Sequence, residues 1–437
     1  MNPIHTSCYN DTMIARLLRF IKDPTSKNII INTSGNYLNV VFTAFFALIL
    51  FRSMTPIEYG MFSVLIGLAY VMSNILEFGT TASIYSTVPA LFHDDDDRLY
   101  SFIKSTLFYQ TTLSVIIIAL LILSFPYLDK VFFKTGVAPW ILTMTAFTII
   151  LFVWQNFLTN VLFAAKRFFH ANVYLNTSNL VKSVILIMLM FTDTISVASV
   201  IMTYGLIGPL IFFLMVLFKN YDRIIPIKNA NFNRSEIKVN YTLTYFAASQ
   251  FYNVGLRMDL FLLSFFGLRE QVGYYASAQK IILSIIATIV SISQVLSPQF
   301  AAVKSRLEIN KLLKKGFTYM LIPIGIFVAL ILTPNSFFQF IFTDNFAEAI
   351  LITKILAVPF MLSAGGTVIM LFLLYTVKKP IYILVSNIAF FSIVSVGSYF
   401  LIPERGMYGP PIAIACAFVV AIAIQVVAFM KEQKSFQ

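Results

Sequence analysis

Apolar stretches of about twenty residues or more, cut by short polar turns, follow one another from residue 30 to residue 430. A helix that crosses a hydrocarbon core of about 30 Å needs roughly 20 residues at about 1.5 Å each. The pattern predicts twelve such helices, over 30–51, 60–90, 103–125, 139–164, 171–192, 197–218, 241–265, 272–301, 316–333, 349–376, 380–401 and 408–430. Residues 60–90 are long for one span and carry Pro89 near their end, which predicts a tilted helix or one that runs beyond the bilayer. No series of alternating ten-residue strands is present, so the spans read as helices rather than a membrane barrel. The predicted fold class is all-α: a polytopic membrane protein with two six-helix halves around a central cavity.

The polar turns are unequal. With the N-terminus placed inside, the outer turns hold 5 Lys and Arg, namely Arg52, Lys130, Lys134, Arg269 and Arg405, and the inner segments hold 22. This positive-inside bias predicts that both termini are cytoplasmic. The net charge of +12 is mostly the same bias facing an anionic leaflet, and it requires no nucleic acid partner.

Composition agrees. The chain is 59% hydrophobic and 11% charged, against roughly 25% charged in soluble domains. Cys8 and Cys416 lie near opposite ends and suggest no disulfide framework. His5, His93 and His170 are scattered, so no metal site is expected. The first 28 residues show no apolar core followed by a small-residue cleavage site, and no signal peptide is expected.

An internal duplication is visible. A shift of 213 residues lays 46–64 (FALILFRSMTPIEYGMFSV) on the stretch beginning at Asp259 (DLFLLSFFGLREQVGYYAS), with Gly60 on Gly273 and Phe62 on Tyr275. It predicts two halves of the same orientation, related by an axis along the membrane normal. The expected division is an N-terminal arm over 1–29, halves over 30–218 and 241–430, a basic linker over 219–240, and a tail over 431–437.

Ionisable residues inside apolar spans are costly in lipid, and they face a protein interior or a wet cavity. The stretch 250–280 carries Arg257, Asp259 and Lys280, with Asn253 nearby. Arg257 lies about 13 Å below the outer end of its helix, and Lys280 about 12 Å into the next, antiparallel one, so the two are expected at one depth. Lys182 is near the middle of 171–192. Arg257 and Asp259 are two positions apart, about 200° around a helix, and do not pair on one face. Asp259 is expected to meet Lys280 or Lys182 instead. Three cations against one acid predict a positive cavity for phosphate-like groups; the alternative is a set of structural charges paired between helices or reaching an interface.

Polar stripes add to this picture. Asn32, Asn36, Asn39 and Thr43 share one helix face, as do Asn172, Asn176, Asn179 and Ser183; Gln155, Asn156, Thr159 and Asn160 cluster in the fourth span. Any one of these asparagines can serve helix–helix hydrogen bonding; together they predict a wet path that tolerates a polyhydroxy ligand. Glu77 is an isolated carboxylate in the second span, either a proton or sodium coupling site or an interfacial residue. The run Asp94 to Asp97 reads as a solvated loop. No phosphate-binding glycine loop, nucleophile elbow or zinc-hydrolase motif is present, so no catalytic residue and no cofactor is expected.

TPIEYGMFSVLIG (55–67), LEFG (76–79) and RMDLFLLSFFGLREQVGYYASAQK (257–280) resemble the polysaccharide-repeat flippases of the multidrug/oligosaccharidyl-lipid/polysaccharide exporter superfamily. The resemblance covers the whole chain in architecture. It implies translocation of an undecaprenyl-pyrophosphate-linked oligosaccharide unit across a bacterial inner membrane; with two halves, alternating access is expected, and with no nucleotide motif in the sequence a proton or sodium gradient is the expected driving force. It also implies membrane lipids, a polysaccharide polymerase and chain-length proteins as partners. Arg257, Asp259 and Lys280 are the positions that carry over. Phe46 and Ala44 stand in the places of Asp259 and Arg257 in the first half, so the halves are chemically unequal. The alternatives are a membrane-embedded glycan polymerase or ligase on the same lipid carrier, and a drug exporter of the same fold. The first needs an outer catalytic loop and the second an acidic cavity.

Overall fold

The computed structural model describes residues 24–91, 96–233, 243–302 and 305–433. The run of aspartates lies partly outside these residues, as do the N-terminal arm up to residue 23 and most of the tail. Fifteen helices follow one another among the described residues. They are α1 (Pro24–Ser53), α2 (Pro56–Ile75), α3 (Thr80–Leu91), α4 (Asp96–Leu128), α5 (Pro139–Ala164), α6 (Phe168–Phe191), α7 (Val197–Lys219) and α8 (Tyr221–Asn229). After the linker come α9 (Leu243–Phe265), α10 (Arg269–Ala302), α11 (Arg306–Leu332), the short α12 (Asn335–Ile341), α13 (Glu348–Thr376), α14 (Ile381–Arg405) and α15 (Gly409–Gln433).

Ten continuous segments are long and apolar enough to cross a membrane. The last of them, Ile381–Gln433, holds two helices, α14 and α15, folded back on each other at Gly406–Tyr408. Helix α9, 23 residues long, falls outside these segments; its stretch 250–259 carries Gln250, Asn253, Arg257 and Asp259. Large apolar side chains such as Leu123, Phe191 and Phe218 are about four-fifths exposed. In water that surface would be untenable; in lipid it is the contact surface.

The second span is not one helix. It breaks at Glu77 to Gly79, where Phe78 (φ 46°) and Gly79 (φ 77°) both take left-handed backbone, and α3 restarts at Thr80. Its start is specified locally. Thr55 caps α2, accepting a hydrogen bond from the Glu58 amide (3.3 Å), while Glu58 accepts one from the Thr55 amide (2.9 Å), and Pro56 takes the first helical turn. The motif TPIEYG is therefore a capping box followed by a glycine.

Helices α1–α7 pack mainly on one another, through α1 on α6, α4 on α5 and α2 on α5. Helices α9–α15 do the same, through α9 on α14, α14 on α15 and α10 on α13. Helix α10 lies against α2 between the two groups, with α9 also touching α2. Four hydrogen bonds join the groups among the described residues. Arg52 donates to the Phe340 carbonyl (3.4 Å), Thr343 to that of Phe51 (3.2 Å), Arg269 to that of Lys134 (3.0 Å), and Ser264 to that of Phe133. All four lie at the end of the bundle remote from the linker, here termed the far end. Phe51, Tyr59, Phe342 and Phe346 form an aromatic cluster there. The far end is closed. At the linker end, residues 228–231 accept hydrogen bonds from Lys104 and Ser101 of α4.

Candidate functional site

Helices α2 and α10 pack against each other, and the space left beside their crossing is a cavity of about 70 Å³ between the two helix groups. Arg257 of α9 and Lys280 of α10 both line it, so the depth argument from helix spacing holds. Facing them are Phe46, Tyr59, Tyr70 and Tyr204 from the first group. Tyr70 and Tyr204 share a hydroxyl–hydroxyl hydrogen bond of 2.6 Å.

Lys182 is buried behind this wall. Its ammonium lies 4.5 Å from the centre of the Tyr204 ring and 5.9 Å from that of Phe46. A cation over an aromatic face is stabilised by the ring quadrupole. Gly208 makes room for the lysine stem: a Cβ there would stand 2.6 Å from Lys182 Cδ. Lys182 thus backs the cavity through its aromatic lining instead of lining it.

Asp259 makes no direct ion pair among the described residues; Arg257 reaches it through Gln279. Asp259 is fully buried and accepts hydrogen bonds from Tyr275 Oη (2.5 Å), Gln279 Nε2 (3.1 Å) and the Leu260 amide (2.7 Å). The expected partners Lys280 and Lys182 make no ion pair with it. The physical reason is helical register: Tyr275 and Gln279 are four apart on α10 and present one face to α9, whereas Lys280 is one position on and points into the cavity. Gln279 also accepts from Arg257 Nη1 (2.8 Å). It bridges acid and base while keeping them apart. No carboxylate among the described residues pairs with Arg257, Lys182 or Lys280.

The asparagine stripes do not line this cavity. Asn179 donates to Asn39 Oδ1 (2.7 Å), and Asn176 donates to the Gly35 carbonyl (3.2 Å), so the stripes of α1 and α6 stitch those helices together. Asn36 sits half-buried on α1; Asn32 is on the same helix, its side chain outside the described residues. Only Thr43 from these stripes reaches the central cavity. Asn253 lines a different cavity, inside the second helix group. Glu77 sits at the α2–α3 break and accepts from Thr81 Oγ1 (2.8 Å), which in turn accepts from Asn160 (2.9 Å). It lies seven residues past Tyr70, the last lining residue of α2, about 10 Å along the helix axis.

Sequence reasoning missed Gln279, Tyr275, Tyr70 and Tyr204. The spacing of Tyr275 and Gln279 beside Lys280 was readable as a polar face, and nothing in sequence pairs Tyr70 with a residue 134 positions away.

A family model described as "Polysaccharide biosynthesis protein" matches residues 25–304. No curated protein matches the sequence significantly. Among solved structures, the lipid II flippase MurJ in an inward closed conformation superposes with a TM-score of 0.72 at 14% identity, over 91% of this chain and 87% of that one. A multidrug resistance MATE family transporter of the MOP superfamily, inward-facing, gives 0.71 at 12% identity, over 93% and 98%. An outward-facing transporter of that family gives 0.62 at 14% identity, over 96% and 98%. The fold is that of MOP-superfamily transporters.

Proposed function

This chain belongs to the polysaccharide biosynthesis protein family, and we propose that it is a flippase for lipid-linked oligosaccharides. Its substrate on this reading is an undecaprenyl-pyrophosphate-linked repeat unit, moved from the cytoplasmic to the outer leaflet of a bacterial inner membrane. One observation carries the proposal. Arg257 and Lys280 converge on a single cavity between the helix groups, Lys182 backs it through Tyr204, and the nearby acid Asp259 is engaged by Tyr275 and Gln279. One buried carboxylate, tied to Tyr275 and Gln279, stands against the cations Arg257, Lys280 and Lys182; the excess positive charge calls for an anionic partner, and a pyrophosphate supplies one. The same charge disfavours a cationic drug as cargo. The chain's part is then to bind and carry, with no covalent step.

The cavity of about 70 Å³ is far smaller than a pyrophosphate with its sugars. With the far end closed, the substrate enters as the groups separate at the linker end. The units 30–218 and 241–430 rock about the α2–α10 crossing, and the polyprenyl tail stays in lipid. The linker end is cytoplasmic by its basic loops. A proton or sodium gradient sets the direction, with Glu77 as the candidate carrier.

The test measures binding of bare undecaprenyl pyrophosphate to the purified full-length protein, beside glycan export in cells. Loss of one charge-assisted contact is worth about 1.5–3 kcal/mol, so Arg257→Ala and Lys280→Ala are each expected to weaken binding roughly 10- to 100-fold and to stop export at normal protein level. Arg257→Lys keeps partial function, as a point charge without the bidentate fork. Wild-type binding and export by both alanine variants would overturn the reading.

A further inference from the structure

The second helix group contains a larger cavity of about 350 Å³, walled by α9, α10, α13, α14 and α15. It adjoins the cationic one. Asn253 lines the larger cavity and Arg257 the smaller, one helical turn apart on α9; on α10, Ile286 and Leu283 divide in the same way. Not one of its lining residues is charged. Its walls are aliphatic and aromatic, with Tyr252 and Phe390 rings 5.4 Å apart. Four amides line this mostly apolar space, those of Asn253, Gln294, Asn387 and Gln425, together with hydroxyls such as Ser293, Ser297 and Thr367.

Two of the amides are half-committed. Gln425, only 7% exposed, donates to Ser386 Oγ (3.1 Å), yet its Oε1 has no hydrogen-bond partner. Asn387 donates to the Ala248 carbonyl (3.0 Å). A buried, unpaired acceptor beside an empty volume is an unmet demand for a donor. A charged ligand is the wrong occupant, because nothing in the cavity compensates it. An acidic sugar is ill-matched for the same reason. Mostly apolar walls with a few convergent polar groups suit a small neutral ligand with both characters.

We propose that this cavity is a recognition subsite for a neutral, partly apolar sugar residue, of the acetamido or deoxy class, in the unit whose pyrophosphate sits at Arg257 and Lys280. The inference rests on the flippase reading and adds a specificity to it. The sugar's N–H or O–H donates to Gln425 Oε1, its methyl group lies on the aliphatic wall, and its ring stacks against Tyr252 and Phe390. Order along the ligand matches order along α9, with phosphate at Arg257 and sugar one turn further toward the linker end.

The experiment compares three lipids on the purified full-length protein by native mass spectrometry: bare undecaprenyl pyrophosphate, the same lipid bearing N-acetylglucosamine, and the same lipid bearing glucuronic acid. Wild type is expected to prefer the acetamido sugar over the bare lipid about tenfold and to show no gain for the acidic sugar. Gln425→Leu and Asn387→Leu are each expected to bring that preference close to parity while the bare lipid binds as before, which also shows that the variants are folded. If the bare lipid binds wild type but the acetamido sugar adds nothing, the subsite is overturned and the flippase reading stands. If the leucine variants weaken all three lipids equally, the cavity holds the lipid tail and the subsite is again overturned. If wild type binds none of the three, both readings fall.

Discussion

Gly60 and Gly273 lie face to face where α2 crosses α10: a Cβ added to Gly60 would come within 2.9 Å of the Gly273 amide nitrogen, and one added to Gly273 would overlap the Pro56 carbonyl. These are the two glycines that the 213-residue shift aligns. Equivalent residues in contact are what an axis between related halves requires. The crossing is also at the closed end, below the bonds of Arg52, Thr343 and Arg269. Its tightness makes it a lock for the far gate.

Gly273→Val is therefore expected to hold the far end open. Overpacking of this kind costs about 1–3 kcal/mol, enough to move a two-state equilibrium roughly five- to a hundredfold. A cysteine at Ser63, in the central cavity, reports it in a background with Cys8 and Cys416 replaced by Ser. Labelling by an impermeant thiol reagent added outside should rise several-fold in Gly273→Val, with export lost. Unchanged labelling would mean that the crossing is packing alone.

Orientation has its own test. Asn229 and Ala138 are exposed at opposite ends of the bundle. A cysteine at Ala138 should be labelled in intact cells and one at Asn229 protected. Thr135, in the same loop, is buried against Asp129 and would not report. The reverse pattern would invert the direction of transport proposed above.

Asp259 should act by holding Gln279 in place, and Gln279 by aiming Arg257. Tyr275→Phe removes one hydrogen bond to a buried carboxylate, worth about 1.5–3 kcal/mol, and should lower the melting temperature by a few degrees. Asp259→Ala should cost more, because the buried Tyr275 hydroxyl loses its acceptor and Gln279 keeps only the Leu256 carbonyl. In Asp259→Asn, export should weaken while binding of bare undecaprenyl pyrophosphate survives. Loss of that binding comparable to Arg257→Ala would place Asp259 in the binding site itself.

Glu77 sits at the α2–α3 break, bonded to Thr81 and away from the cationic cavity. A carrier of the driving ion need not touch the substrate if it sits where a helix changes direction. Glu77→Gln is expected to leave lipid binding intact and to abolish the gradient dependence of transport in reconstituted vesicles. Wild-type gradient dependence in that variant would reduce Glu77 to a residue that caps the break.

The positions of the spans were legible because burial in lipid demands length and apolarity, both one-dimensional properties. The break at Phe78 and Gly79 was not. An apolar run looks the same whether or not two of its residues take left-handed backbone. The meeting of Arg257 and Lys280 was legible from depth, since two helices joined by a tight turn count residues from the same point. Their partners were less so. Asp259 was assigned to a lysine by charge, and the structure gives it Tyr275 and Gln279 by register.

By itself, then, the sequence predicted a helical, polytopic membrane protein of about twelve spans with cations inside them, and it aligned Gly60 with Gly273. Those conclusions follow from hydropathy, charge asymmetry and repeat spacing, which do not depend on which helix neighbours which. The tertiary structure alone decided that the α1 and α6 asparagines bond to each other, that Lys182 stands behind Tyr204, and that an uncharged cavity adjoins Arg257. Those depend on the rotation of each helix about its axis. Rotation is set by the packing of all its neighbours at once, and no stretch of chain contains it.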